Sequence, residues 1–304
     1  MTAHIVSDTA AQTSAAGDFT HPDFARPDFT ARFWGVRGSI ASPGPDTLRY
    51  GGNTPCIEVR CGGALLILDA GTGIRPLGEA LVREALVRQG VTDVDLLLTH
   101  SHLDHICGLP FFAPAFHAGS KLRISAGHLE PGRTIRSVLQ CMMASPLFPV
   151  PVEIFRADCS FHDFVAGDTL HPKPGVAVRT GRLNHPDGAT GYRVEFAGRS
   201  LCYVTDTEHP AEGRDAAVVE LARGADLLIY DSTYTDAEYP SHAGWGHSTW
   251  QEALRVADAA GVGRAVIFHH DPRRTDDELD IIAAAAEAAR PGTLVAREGM
   301  VLSP

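Results

Sequence analysis

The chain has 304 residues, 44% hydrophobic and 21% charged, a balance that suits a globular protein with one substantial core. Its formal charge of −11 sets the surface as a whole against polyanions, which argues against extended nucleic acid as a partner. Six cysteines without a C-x-x-C pair argue against a disulfide scaffold, the N-terminus lacks a basic-then-apolar leader, and no apolar run approaches the ~20 residues that span a bilayer; a soluble cytoplasmic protein with no membrane partner is expected.

In chain order, residues 1–30 are rich in Ala, Thr, Ser and Asp and repeat a Pro-Asp-Phe unit at Pro22 and Pro27, which suits neither helix nor strand. They are expected to form a flexible arm, and residues 31–304 a single domain. Aliphatic or β-branched runs ending in Gly or polar positions predict strands at 31–38, 56–60, 64–71 and 94–100. Apolar residues at helical spacing with a closing glycine predict a helix over 75–90. Residues 111–155 depart from this rhythm: a helix is expected over 133–144, and Pro146, Pro149 and Pro151 should keep 145–151 extended. Exposed Met and Phe in that section would suit a lid or subunit contact. Strands then return at 175–183, 190–198, 199–206, 225–231 and 264–271, with helices at 213–224, 248–261 and 275–290. Helices following strands indicate a layered α/β protein, and the shared rhythm of the two halves suggests pseudo-symmetric halves facing each other.

The sequence concentrates chemistry at one point. Directly after Leu96-Leu97-Leu98 come His100, His102, Asp104 and His105. His100 and His102, two apart at a strand end, project to one side, and Asp104 and His105 can approach from the turn that follows. Imidazole and carboxylate donors at this spacing suit zinc or a similar divalent metal, and the C-terminal end of a buried strand is where α/β folds place their sites.

This H-x-H-x-D-H run resembles the signature of the metallo-β-lactamase fold superfamily, and Leu65–Gly73 resembles the strand and glycine turn that precede it there. The resemblance implies a four-layer αββα sandwich of two facing mixed β-sheets flanked by helices. It also implies two divalent ions, zinc in the first place with Mn and Fe compatible with the same donors. His100, His102 and His185 would hold one ion, Asp104, His105 and His269 the other, and Asp206 would bridge them. Asp69 would accept the far N–H of a ligand histidine. His269 is preferred to its neighbour His270 because related families place this ligand three residues before a proline.

Asp231-Ser232-Thr233 and His247-Ser248-Thr249 resemble motifs of the branch that holds ribonuclease Z and small phosphodiesterases. The match implies His247 as proton donor to the leaving alkoxide, oriented by Asp231, and Asp104 as a proton relay from the attacking water. Ribonuclease Z grips its substrate with a basic arm, and no Gly/Lys-rich excursion is visible here. The expected activity is therefore hydrolysis of a small cyclic or linear nucleotide diester. Arg37, Arg49, Asn53 and Arg193 are candidate substrate contacts. The alternatives are a ribonuclease Z-like RNA endonuclease, hydrolysis of a lactone, thioester or β-lactam, and a mono-iron persulfide dioxygenase. Related enzymes also suggest a homodimer.

Overall fold

The computed structural model describes residues 28–304. Two seven-stranded sheets are built from the two halves of the chain. The first contains β1 (Phe29–Gly35), β2 (Cys56–Cys61), β3 (Ala64–Leu68), β4 (Asp93–Leu98), β5 (Lys121–Ala126), β6 (Asp158–Asp163) and the last strand, β14 (Val301–Leu302), in the order β14-β1-β2-β3-β4-β5-β6. The second contains β7 (Thr169–Leu170), β8 (Val176–Leu183), β9 (Ala189–Phe196), β10 (Arg199–Val204), β11 (Leu227–Asp231), β12 (Arg264–Phe268) and β13 (Leu294–Val295), in the order β13-β12-β11-β10-β9-β8-β7. In each, an antiparallel half passes into a parallel half, at β3·β4 and at β10·β11. The expected pseudo-symmetry of the halves is present.

Strand alternation explains the layers. In β3, Leu66 and Leu68 point into the core between the sheets while Ile67 points outward; in β11, Leu227 and Ile229 point inward while Leu228 and Tyr230 point outward. The inner core also takes Phe29, Phe33, Tyr203 and Phe268. The outer face of the first sheet is covered by α1 (Ile74–Val87) and α3 (Ile135–Met142), and that of the second by α4 (Ala216–Ala222), α5 (Trp250–Ala260) and α6 (Asp276–Ala289). Thr249 caps α5, Thr275 and Glu278 form a capping box on α6, and Gly261, at φ +64°, ends α5. The four-layer αββα arrangement is as expected.

Three local expectations differ. Phe29 and Thr30, assigned to the arm, belong to β1, where they pair with Cys61 and Arg60, and the Asp28 carbonyl before them accepts from Gly62 N; residues 1–27 lie outside the described residues. The irregular middle section contains β5, and β6 follows directly after it; the two complete the parallel half of the first sheet. Residues 145–148 are not extended, because Ala144 C=O accepts from both Leu147 N and Phe148 N and turns the chain, whereas Pro151 is extended as expected. Among the described residues no helix is long and apolar enough to cross a membrane.

Candidate metal centre

The parallel strands converge on one edge of the sandwich. Asp69 follows β3, His100 follows β4, Asp206 follows β10, Asp231 ends β11 and His269 follows β12. The short helix α2 (Leu103–Ile106) contributes Asp104 and His105, the β8–β9 loop His185, and the loop before α5 His247. Asp69, Asp206 and His269 have φ of +62°, +55° and +62°. Non-glycine residues in this region are strained, and here all three are residues whose side chains meet at the site.

Four overlapping donor groups result, two of which include His247: His185, Asp206 and His247, and Asp231, His247 and His269. The other two match the expected ligand sets. His100, His102 and His185 form one, and Asp104, His105, Asp206 and His269 the other. Asp206 faces both: Oδ1 lies 3.8 Å from Nε2 of His100 and of His185, and Oδ2 lies 3.1 Å from Nε2 of His105 and 3.2 Å from that of His269. Asp104 Oδ2 lies 3.2 Å from His105 Nε2 and 3.5 Å from His269 Nε2. Ligand atoms around a tetrahedral ion with bonds of about 2.0–2.1 Å lie about 3.3 Å apart, so these separations fit a metal. His102 Nδ1 stands 3.0 Å from His185 Nε2.

The outer contacts fix which nitrogen each ring offers. His105 Nδ1 donates to Asp69 at 2.9 Å, and His185 Nδ1 donates to the Gly246 carbonyl at 2.8 Å. Thr99 gives its hydroxyl proton to Asp69 and so accepts from His100 Nδ1 at 3.0 Å; Thr233 donates to Asp231 and accepts from His269 Nδ1 at 3.1 Å. All four rings therefore turn Nε2 rather than Nδ1 toward the site. Burial opposes charge on His105, but Asp206, Asp104 and Asp69 raise its pKa well above the ordinary imidazole value, and a bound cation would take the place of that proton. The Nε2 atoms of His100, His105 and His269 are buried with no hydrogen-bond partner. Buried orphan lone pairs are costly, and a bound cation satisfies them.

The field favours a cation too. Burial opposes charge on Asp104 and Asp206, yet the neighbouring histidines hold both well below the usual carboxylate range. Burial disfavours charge on His100 as well, which with His105 nearby pushes its pKa well down and keeps it a neutral donor. Fold and donors together thus fit divalent metal, held by residues whose tautomers are already set.

His247 stands beside these groups. Its Nδ1 is 2.9 Å from Asp231 Oδ2, and its ring stacks on His269 at 5.0 Å. Burial disfavours the imidazolium, but Asp231, Asp206 and Asp104 outweigh it and raise the pKa to about 9. Asp231 is fully buried and is also held by Thr207 N and by the N–H and hydroxyl of Thr233.

The seven expected ligands, Asp69, Asp231 and His247 are brought together. His270 points away, with Nε2 at 2.8 Å from the Ala296 carbonyl. The expected substrate contacts need correction. Arg37 is fully buried and donates to the carbonyls of Gly51, Asp271 and Arg274; Asn53 is tied to Glu298 and Thr72. Arg193 donates to the carbonyls of Leu221 and Arg223 and to Glu195, and Arg49 pairs with Asp276, Asp277 and Asp280. These groups brace loops. The sequence reading missed Thr99, Tyr203, Thr233 and Gly246, which orient the ligands from outside; Tyr203 OH donates to Asp69 at 2.8 Å. Only the H-S-T and D-S-T contexts hinted at any of them.

This fold and this donor set define a metallo-β-lactamase protein: residues 65–270 match the family model described as the Beta-lactamase superfamily domain, and the chain belongs to that superfamily. Its backbone is similar to the metallo-beta-lactamase fold protein YhfI from Bacillus subtilis, with a TM-score of 0.67 at 18% identity over 91% of this chain and 100% of that one. Within the superfamily the chain belongs to the ribonuclease Z branch. It is 37% identical over 294 residues to Ribonuclease Z of Methanothermobacter thermautotrophicus, covering 82% of this chain and 91% of that protein. It is 27% identical over 319 residues to Ribonuclease Z of Bradyrhizobium sp. strain ORS 278, covering 89% and 98%. The chain is thus a hydrolase by family, and the fold implies divalent metal. The relatives overturn one expectation. Proteins named for cleaving RNA share most of this chain, so a net charge of −11 and a missing basic arm do not exclude extended nucleic acid. A net charge averages over the whole surface and says little about the potential at one cleft.

Proposed function

We propose that this protein is a dinuclear-metal phosphodiesterase that hydrolyses an RNA phosphodiester. The reading rests on the Asp231–His247 pair, an oriented proton donor 2.9 Å from its carboxylate and directly beside the metal donors. His100, His102 and His185 would hold one ion, Asp104, His105 and His269 the second, with one oxygen of Asp206 toward each. When bound, such a pair supplies Lewis acidity to a water and to the phosphate oxygens.

The protein's residues do the rest. Asp69 and Thr99 lock the rings of His105 and His100, and Thr233 and Gly246 lock those of His269 and His185. Asp104, which accepts from Ser39 N at 2.8 Å, is placed to take a proton from the attacking water. Asp231 orients His247 and favours its protonated form, so the imidazolium can give its proton to the departing alkoxide oxygen. A thioester expels a thiolate, a better leaving group than an alkoxide, and needs such a donor less. All six cysteines are free, which supports a reducing, cytoplasmic location.

The test is a metal-reconstituted panel of a short RNA with a structured 5′ part, a cyclic nucleotide, bis-p-nitrophenyl phosphate and a β-lactam. Hydrolysis of the RNA and the aryl diester, with none of the lactam, is expected. Turnover of the lactam without any diester would sink the proposal. The small nucleotide diester is a second reading, because the His247 donor beside Asp231 serves any alkoxide leaving group, and the same panel ranks the two.

A further inference from the structure

The loop that carries His247 holds a group the catalytic account does not use. Trp245 is 61% exposed, although it lies two residues before His247 and next to Gly246, whose carbonyl fixes His185. An exposed indole leaves a large apolar face in water. Its backbone is not loose. Glu208 accepts from Gly244 N at 2.7 Å and from Gly246 N at 2.8 Å, which clamps the chain on both sides of the indole. Tyr239 OH donates to the same carboxylate at 3.0 Å.

The indole is also backed by other rings. His242 meets it edge-on at 5.1 Å and 82°, and His242 in turn stacks on Tyr234 at 4.2 Å and 22°. His242 Nδ1 lies 3.0 Å from the Glu238 carbonyl and 3.0 Å from Ser241 Oγ, so its plane is set as well. Tyr234 reaches back to the catalytic loop, 6.1 Å from His247. A clamped, ring-backed and exposed indole on the loop of the proton donor, linked to His247 through His242 and Tyr234, is a rigid stacking surface for a flat, apolar group.

We propose that Trp245 is the base-stacking residue for the nucleotide on the leaving side of the scissile phosphodiester. Resting on the phosphodiesterase reading above, this names the part of the substrate that the loop recognises. The proton from His247 goes to the leaving oxygen, so the nucleoside bearing that oxygen is the one nearest the indole. Stacking has no base-edge readout, and the subsite should accept all four bases with a preference for purines.

The experiment has two arms. In the first, a non-hydrolysable dinucleoside phosphorothioate is titrated into the full-length protein while tryptophan emission is followed. Saturable quenching is expected in the wild type and should vanish in Trp245→Phe, which leaves Trp34 and Trp250 as reporters. Quenching that persists in Trp245→Phe would overturn the proposal. In the second, kcat/KM is compared for diesters whose leaving group is a nucleoside or the matching abasic ribose. Trp245→Ala should cut the preference for the nucleoside by about tenfold or more, chiefly through KM, and Trp245→Phe should restore much of it. An equal loss on both substrates would refute the assignment. So would a concentration-dependent dimer that Trp245→Ala abolishes, because it would assign the indole to contact with a second copy of the chain. If no diester turns over, the phosphodiesterase reading fails by itself, and the first arm still decides whether Trp245 stacks on a base.

Discussion

Replacing His247 by alanine tests the proton-donor role with little structural confusion. Asp231 loses one partner at 2.9 Å but keeps Thr207 N at 3.3 Å, Thr233 N at 3.0 Å and the Thr233 hydroxyl at 2.8 Å. The carboxylate stays hydrogen-bonded, and the fold should survive. A positioned general acid contributes about 10²–10⁴-fold, which is about 3–5 kcal/mol of the barrier. That contribution is needed in full only when the departing oxygen is a basic alkoxide. A nitrophenolate leaves without a proton, so the same variant should lose less than about tenfold on bis-p-nitrophenyl phosphate while losing about 10²–10⁴-fold on a dinucleotide with a ribose leaving group. The assay is steady-state kcat/KM on both substrates at one pH, with circular dichroism to confirm the fold. Equal losses on the two substrates would refute the reasoning and return His247 to a structural or ligand role.

Other substitutions follow from the same contacts. Gly246→Ala would put a Cβ 2.3 Å from His185 Nδ1 at a φ of +82°, so metal affinity measured by competition with a chelator should fall about 10–100-fold; unchanged affinity would show that the carbonyl is no anchor. Arg37→Met strips three carbonyls of their donor inside the protein and should lower stability by at least about 2 kcal/mol in urea melts, with KM unchanged. A stable variant with a raised KM would restore Arg37 as a substrate contact. Glu238 is pushed up by burial, but hydrogen bonds from Arg274 and Thr235 outweigh this and lower its pKa from an ordinary 4.5 to about 2. Because the folded pKa is depressed, its stabilisation is present above about pH 4.5 and lost as the pH falls toward 2; with the side chain 38% exposed it is worth under about 1 kcal/mol. The Tm gap between wild type and Glu238→Gln should therefore shrink over that window, and a constant gap would contradict the assignment.

How much of this was legible in the sequence follows from what is local. His100, His102, Asp104 and His105 lie within six positions, so their convergence could be read from strand and turn geometry. His185, Asp206 and His269 could be chosen only through family resemblance, because what joins them to that run is the facing of two sheets. The ring-orienting contacts are less visible still: Tyr203 reaches Asp69 across 134 positions, and the left-handed backbone at Asp69, Asp206 and His269 leaves no compositional trace. The arginines misled for a related reason. A guanidinium in sequence reads as free charge, whereas Arg37 and Arg193 satisfy backbone carbonyls that the fold would otherwise bury unpaired. β5 and β6 were hidden by their proline- and glycine-rich surroundings, since each alternates too briefly to stand out before its parallel partners are known.

Two ions would be held by the two donor groups that Asp206 faces, and metal content tests this most directly. Elemental analysis after reconstitution with zinc and removal of free ion should give two ions per chain in the wild type. Asp206→Ala should retain at most one, because the oxygens facing both donor groups are gone. One ion per wild-type chain, or two held unchanged by Asp206→Ala, would contradict the account.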